Sequence, residues 1–150
     1  LKFRFDMACA GRLGLELQPK NFSARDRALA ERCIASYYQY RDLVFTGDLY
    51  RLSSPYDSDY YALAYVAPDK SRAVVYTYCL RYQHRTGSQH PFRIDGLDPQ
   101  RKYKVRELNV DRSCWWGDGQ TFTGDFLGTG AFNPDLPQKY SSAVFYLEAE

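Results

Sequence analysis

No run of apolar residues in this 150-residue sequence approaches the roughly 18 needed to cross a bilayer, so no membrane-spanning helix is expected. The basic n-region, apolar h-region and small-residue cleavage site of a secretory signal are missing as well. Charge of one sign is scarce: 20 Lys and Arg against 18 Asp and Glu leave a net charge of +2. Basic residues are interspersed with acids, as in Arg25-Asp26-Arg27, and no field strong enough to gather nucleic acid results. The glycines never take the phosphate-cradling G-x-G-x-x-G or G-x4-G-K-[ST] form, and Gly11-Arg12-Leu13-Gly14 is too short for either. Cysteine is limited to Cys9, Cys33, Cys79 and Cys114, with no C-x2-C pair and no His at zinc-ligand spacing, so no metal is expected. Cys9, Cys33 and Cys79 sit among apolar neighbours and read as buried free thiols, which favours a reducing, cytoplasmic setting.

What is abundant is aromatic surface. Phe, Trp and Tyr make up 17% of the residues, with 14 Tyr against 9 Phe and 2 Trp. Tyrosine brings apolar area with a hydroxyl that must be satisfied, which suits packed β surfaces, subunit contacts and sugar-facing surfaces alike. With 45% hydrophobic and 25% charged residues, the composition is that of a folded globular chain. Because the first residue is Leu1, the chain is expected to begin inside a longer protein.

Residues 1–7, Leu-Lys-Phe-Arg-Phe-Asp-Met, alternate apolar and charged side chains and predict a strand leading into a glycine-bearing turn at Gly11 and Gly14. Ser23 then offers an N-cap and Asp26 the acidic member of a capping box. From Ala24 onward, Ala30, Cys33, Ile34, Tyr37, Tyr40 and Val44 recur at three- and four-residue intervals, predicting an amphipathic helix of about 20 residues that ends near Gly47. After a Ser-Pro-Asp linker at 53–59 the rhythm changes. Tyr61–Val66 and Arg72–Leu80 predict a hairpin around the 67–71 turn. Pro91–Ile94, Tyr103–Val110, Gln120–Phe126 and Ala143–Ala149 predict further short strands. The expectation is an α+β chain divided at residues 1–55 and 56–150, the second part a small antiparallel β-sandwich. One strand and one greasy helix have no sheet of their own to cover, so the first part reads as the last β-α unit of a larger α/β barrel or open sheet.

Weighed singly, the candidate chemical groups favour structure. Asp6 falls in the alternating segment, Asp26 fits a cap, Asp57 and Asp59 a linker, and Asp95, Asp98 and Asp111 turns. His84 and His90 flank a polar loop without a third ligand, and the serines lack a nucleophile elbow. Cys9 lies near Arg12, which could lower a thiol pKa, but packing is the better reading. Trp115-Trp116-Gly117-Asp118-Gly119 is the most sugar-like feature, because an indole face can stack on the C–H face of a pyranose. Neighbours in a strand point to opposite faces, so at most one of Trp115 and Trp116 would join a platform.

The run Met7-Ala8-Cys9-Ala10-Gly11-Arg12-Leu13-Gly14-Leu15-Glu16-Leu17-Gln18-Pro19 closely resembles the bacterial α-galactosidases of glycoside hydrolase family 36. The likeness continues through Gly47-Asp48-Leu49-Tyr50-Arg51-Leu52 and Tyr65-Val66-Ala67-Pro68-Asp69-Lys70-Ser71-Arg72-Ala73-Val74-Val75, and more loosely through Gly96-Leu97-Asp98-Pro99 to Asn109. The resemblance implies a parent with an N-terminal β-sandwich, a central (β/α)8 barrel and a C-terminal β domain, residues 1–55 being the barrel's last strand and helix. It implies that both catalytic aspartates lie upstream, so that no catalytic residue is in this chain. Cys9, Gly11 and Arg12 would then border the galactose pocket, on the face where barrel sites are built. The implied reaction is retaining hydrolysis of terminal α-galactosides of the melibiose or raffinose kind, with no metal or organic cofactor and a parent that is a candidate homo-oligomer. A carbohydrate-binding module, or a purely structural accessory domain of another glycoside hydrolase, is the alternative.

Overall fold

A computed structural model describes residues 1–14, 16, 18–81 and 91–150. In chain order the elements are helix α1 (Lys2–Cys9), a 3-10 turn at Pro19–Asn21, helix α2 (Ala24–Thr46), strands β1 (Asp48–Arg51), β2 (Tyr60–Val66), β3 (Arg72–Cys79), β4 (Lys102–Leu108) and β5 (Thr121–Thr123), helix α3 (Gly124–Gly128) and strand β6 (Ser142–Ala149). The strands form one antiparallel sheet in the order β1-β2-β3-β6-β4-β5.

The long helix forms as its pattern predicts. Ser23 accepts a 3.1 Å hydrogen bond from the Asp26 amide, satisfying one of the open donors of the first turn. Asp26 turns its carboxylate to the Ser23 hydroxyl at 2.7 Å rather than to the backbone. Ala30, Cys33, Tyr37, Tyr40 and Leu43 make the buried stripe. Gly47 closes the helix with extended backbone (φ −79°, ψ 159°), and a Cβ there would come within 2.5 Å of the Leu43 carbonyl oxygen and 3.0 Å of that of Val66. Glycine is required at this position because two backbones meet, with no left-handed turn involved.

The opening segment departs from expectation. Residues 2–9 are helical, and the predicted barrel strand does not form. Among the described residues no strand pairs with them, so the backbone satisfies its own hydrogen bonds by coiling. Coiling also places Phe5 and Cys9, one turn apart, against the rest of the molecule, and joins Lys2 to Asp6 across one turn.

The expected sandwich is likewise replaced by a single sheet among the described residues. Strict alternation along the central strands gives it two apolar faces. Val74, Tyr76 and Tyr78 of β3, with Val144 and Tyr146 of β6, face α1 and α2. Ala73, Val75, Ala143, Phe145 and Leu147 face the other way, where Phe92, Ile94, Leu97, Trp115, Leu127, Phe132 and Leu136 cover them from irregular segments and α3. Aromatic side chains on loops thus do the work of a second sheet. Pro91–Ile94 contributes only a bridge between Phe92 and Phe132, and the predicted Gln120–Phe126 strand stops at Thr123, where that hydroxyl accepts from the Phe126 amide and starts α3. Strand pairing runs across the expected division at residues 55 and 56, since β1 pairs with β2 from Asp48 opposite Val66 to Arg51 opposite Leu63. No helix among the described residues is long and apolar enough to cross a membrane.

Candidate functional site

The region of Cys9, Gly11 and Arg12 is built on a row of tyrosines. A helix leaves the carbonyls of its last turn without intrahelical donors. Here the sheet supplies donors: Tyr76 donates to the Cys9 carbonyl at 2.7 Å and Tyr65 to that of Ala10 at 2.8 Å, while Tyr78 adds a 3.0 Å bond to the Asp6 carbonyl, which also accepts from the Ala10 amide at 3.3 Å. From α2, Tyr37 donates to the Gly11 carbonyl at 2.9 Å. Four phenols on two strands and a helix thus fix the C-terminal end of α1 and the loop leaving it. The rings also order one another, with Tyr76 and Tyr78 stacked at 6.5 Å and Tyr61 stacked on Tyr78 at 6.0 Å.

The base of α1 is held by charge. The Asp6 carboxylate is wholly buried, and its Oδ2 receives both Lys2 Nζ at 2.5 Å and the Ser142 hydroxyl at 2.7 Å. Lys2 also donates to the Ser142 carbonyl at 2.9 Å, tying α1 to β6. Such a carboxylate is committed to the fold.

Of the anticipated pocket residues, Cys9, the last residue of α1, is buried between that helix and the sheet, and burial, reinforced by the nearby Asp6 charge, pushes its thiol up to about 12. It is a packed thiol, protonated at neutral pH, and unsuited to nucleophilic work. Gly11 is half-buried, with open space where a Cβ would sit, and Arg12 is exposed. The structure therefore presents Arg12, on a clamped loop, as the one charged group of this trio that reaches solvent. All four cysteines are free.

Trp115 and Trp116 are separated by the fold. Trp115 is 3% exposed and meets Phe132 at 4.9 Å, Phe122 at 5.4 Å and Phe145 at 5.9 Å, so it belongs to the core and offers no face to a ligand. Trp116 is 68% exposed, its ring set edge-on to Phe122, which stacks on Phe126 at 5.1 Å. Gly117 permits this turn, because a Cβ there would strike the Trp115 ring at 2.6 Å. His84 and His90 lie outside the described residues. Among the described residues no group of three or more His, Cys, Asp or Glu could hold a metal ion.

Several other carboxylates are also engaged in the fold. Glu107 accepts from the Ser113 hydroxyl at 2.6 Å and the Cys114 amide at 2.7 Å, Asp118 from the Glu107 amide at 2.7 Å, and Asp69 from Ser71. Asp42 pairs with Arg72 and Asp111 with Arg32. Sequence reasoning missed the tyrosine clamp, although its signal was present: Tyr76 and Tyr78 two apart on β3, with Tyr61 and Tyr65 on the same face of β2.

The model of the glycosyl hydrolase family 36 C-terminal domain matches residues 60–147. α-Galactosidase C of Emericella nidulans is 32% identical over all of this chain, and probable α-galactosidase G of Aspergillus terreus is 30% identical over 93% of it. The chain spans only 18% of the length of each. Among solved structures, the family 36 α-galactosidase AgaA of Geobacillus stearothermophilus superimposes with a TM-score of 0.84 at 26% identity, covering 98% of this chain and 19% of that one. A variant of that enzyme crystallised with stachyose matches with a TM-score of 0.83 at 26% identity. With more than half of its length matched by the domain model, this chain belongs to glycosyl hydrolase family 36, of which it carries the C-terminal domain and the segment leading into it.

Proposed function

We propose that this chain is the C-terminal region of an α-galactosidase that releases terminal galactose from melibiose- or raffinose-like substrates with retention of configuration. In that reading the helical part of residues 1–55 ends the catalytic barrel and residues 56–150 form the terminal β domain. In the retaining route one aspartate attacks C1 while a second protonates the leaving oxygen and then activates water, the two carboxyls standing about 5 to 5.5 Å apart. Both would be supplied upstream, no cofactor would take part, and the parent would act in the cytoplasm, as a homo-oligomer. The isolated chain's role is structural: it holds α1 and its loop in one position against the sheet.

The observation that carries this reading is the commitment of Asp6. The one fully buried carboxylate among the described residues is consumed by Lys2 and Ser142, in the service of docking α1, rather than facing a second acid across an open cleft. Assayed with an aryl α-galactoside, residues 1–150 alone are expected to give no turnover, and the encoded protein that contains them is expected to give it. Activity traceable to the isolated chain would overturn the assignment.

One observation favours a second reading. Trp116 stands exposed edge-on to Phe122, which stacks on Phe126, itself 37% exposed, so that an indole is offered to solvent on an aromatic base as a sugar-binding surface requires. Titration of the chain with raffinose, followed by indole fluorescence, separates the two: saturable binding lost in Trp116→Ala supports a carbohydrate-binding role.

A further inference from the structure

A groove of about 970 Å³, open to solvent, lies between α2 and the loop that follows β4. One wall is the face of α2 that carries Arg25, Ala28, Arg32 and Ala35, which recur at three- and four-residue intervals. The other wall is the loop of residues 109–112. Asn109 turns the chain out of β4 with φ 65°, a left-handed conformation that Asn tolerates, and the Ser36 hydroxyl of α2 donates to its Oδ1 at 2.8 Å. Arg32 pairs with Asp111 from wall to wall, which cancels one charge of each sign. Lys2 also lines the groove, but it is committed to Asp6 and to the Ser142 carbonyl.

What remains is a set of donors without acceptors. Among the described residues Arg25 and Arg112 take part in no hydrogen bond or ion pair, and the amides of Val110, Asp111 and Arg112 are bonded to no carbonyl. The side-chain nitrogen of Asn109 is buried with no partner, and a buried donor is rarely left open unless a water or an ion fills it. Against these donors the lining sets one uncommitted carboxylate, Glu31. The donors stand on both walls, so the group they fit has oxygens directed to both. A carboxylate presents two oxygens in one plane, whereas a phosphate presents three at the corners of a tetrahedron and suits guanidinium forks from separate elements. We propose that this groove binds a phosphate group, clamped by Arg25 on one wall and by Arg112 and the amides of residues 110–112 on the other. Asn109 Nδ2 reaches a phosphate oxygen directly or through a water. The groove exceeds the ion in size and has an apolar side in Ala28, Leu29 and Ala35, so it admits a phosphomonoester of a small metabolite as well as free phosphate. The site does not depend on the glycosidase reading.

Isothermal titration calorimetry of the full encoded protein with inorganic phosphate and with a hexose 6-phosphate, at constant ionic strength, tests this. At least one of the two is expected to bind with a Kd below about 1 mM. Arg25→Gln and Arg112→Gln, both at exposed positions, are each expected to weaken binding by about tenfold or more, as loss of a charge-assisted hydrogen bond does. Arg93→Gln, an exposed cation beside Phe92 on the other side of the sheet, should leave the affinity unchanged. Tighter binding of the hexose phosphate identifies an ester as the ligand, and equal affinity identifies the inorganic ion. Absence of binding up to about 10 mM of either ligand overturns the site. Affinity that survives in both the Arg25 and the Arg112 variants overturns it as well, because the phosphate is then held elsewhere.

Discussion

Asp6 receives two donors on Oδ2, while Oδ1 is buried without a hydrogen-bond partner among the described residues. Removing Lys2 would leave that carboxylate with only a neutral donor. Breaking a buried pair costs roughly 3–5 kcal/mol, and partial exposure of Lys2 to solvent reduces this, so Lys2→Met is expected to destabilise the chain by about 2–3 kcal/mol in urea unfolding. A change below about 0.5 kcal/mol, the range of ordinary surface substitutions, would show that the pair does not hold α1. The two tryptophans make the opposite contrast. Trp115→Ala should cost about 3–5 kcal/mol, whereas Trp116→Ala should stay within about 0.5 kcal/mol of the parent. Equal losses would contradict the burial difference. Alternation implied that two adjacent indoles would part company, but which one enters the core depends on Phe132 and Phe145, distant in sequence. The role of Asp6 was hidden for the same reason, since its partner Ser142 is 136 residues away.

Among the elements, α2 was the most legible because its signals are local: a Ser cap, an acidic first turn, and apolar residues at three- and four-residue spacing. Ser23→Ala removes both the bond to the Asp26 amide and the hydroxyl's contact with its carboxylate, and is expected to cost about 1 kcal/mol. A shift in urea midpoint at unchanged slope would register it, while an unchanged midpoint would mean that tertiary packing alone holds the first turn. α1 was misread as a strand because Leu1, Phe3 and Phe5 alternate with charges, a pattern that a short helix also permits when Phe5 and Cys9 fall one turn apart. Strand and helix can be told apart in eight residues only by what pairs with them, and among the described residues no strand edge pairs with this segment. The Pro91–Ile94 segment on the second face of the sheet was read as a strand for a related reason. Phe92 has the composition of β structure, but beyond its bridge to Phe132 it packs as a side chain into the core on that face.

At the scale of the whole molecule, thiols and phenols buried between the helices and the sheet bind stability to pH. Burial pushes Cys9 up to about 12 and Cys33 up to about 11, from an ordinary thiol value of 9.0, and Tyr76 and Tyr78 move in the same direction. Above pH 9 the unfolded chain therefore sheds protons that the folded chain keeps, and stability must fall as pH rises from there toward the folded values. The urea midpoint is expected to be insensitive to deprotonation of these groups between about pH 7 and 8 and to drop steadily above about pH 9. A midpoint that holds level to pH 11 would show that these groups are accessible to solvent. The general architecture, an antiparallel sheet beside a long helix, was readable from periodicity. The number of layers was not, because one sheet lined by aromatic loops and two facing sheets present the same alternation.

The order of the strands has a consequence for biosynthesis. β6, residues Ser142–Ala149, lies between β3 and β4 and, among the described residues, is the strand through which β1-β2-β3 and β4-β5 pair into one sheet. On the ribosome the earlier strands must wait, half-paired, until the final stretch of this segment has cleared the exit tunnel. A stop placed just before Ser142 would therefore abolish the domain outright instead of trimming it.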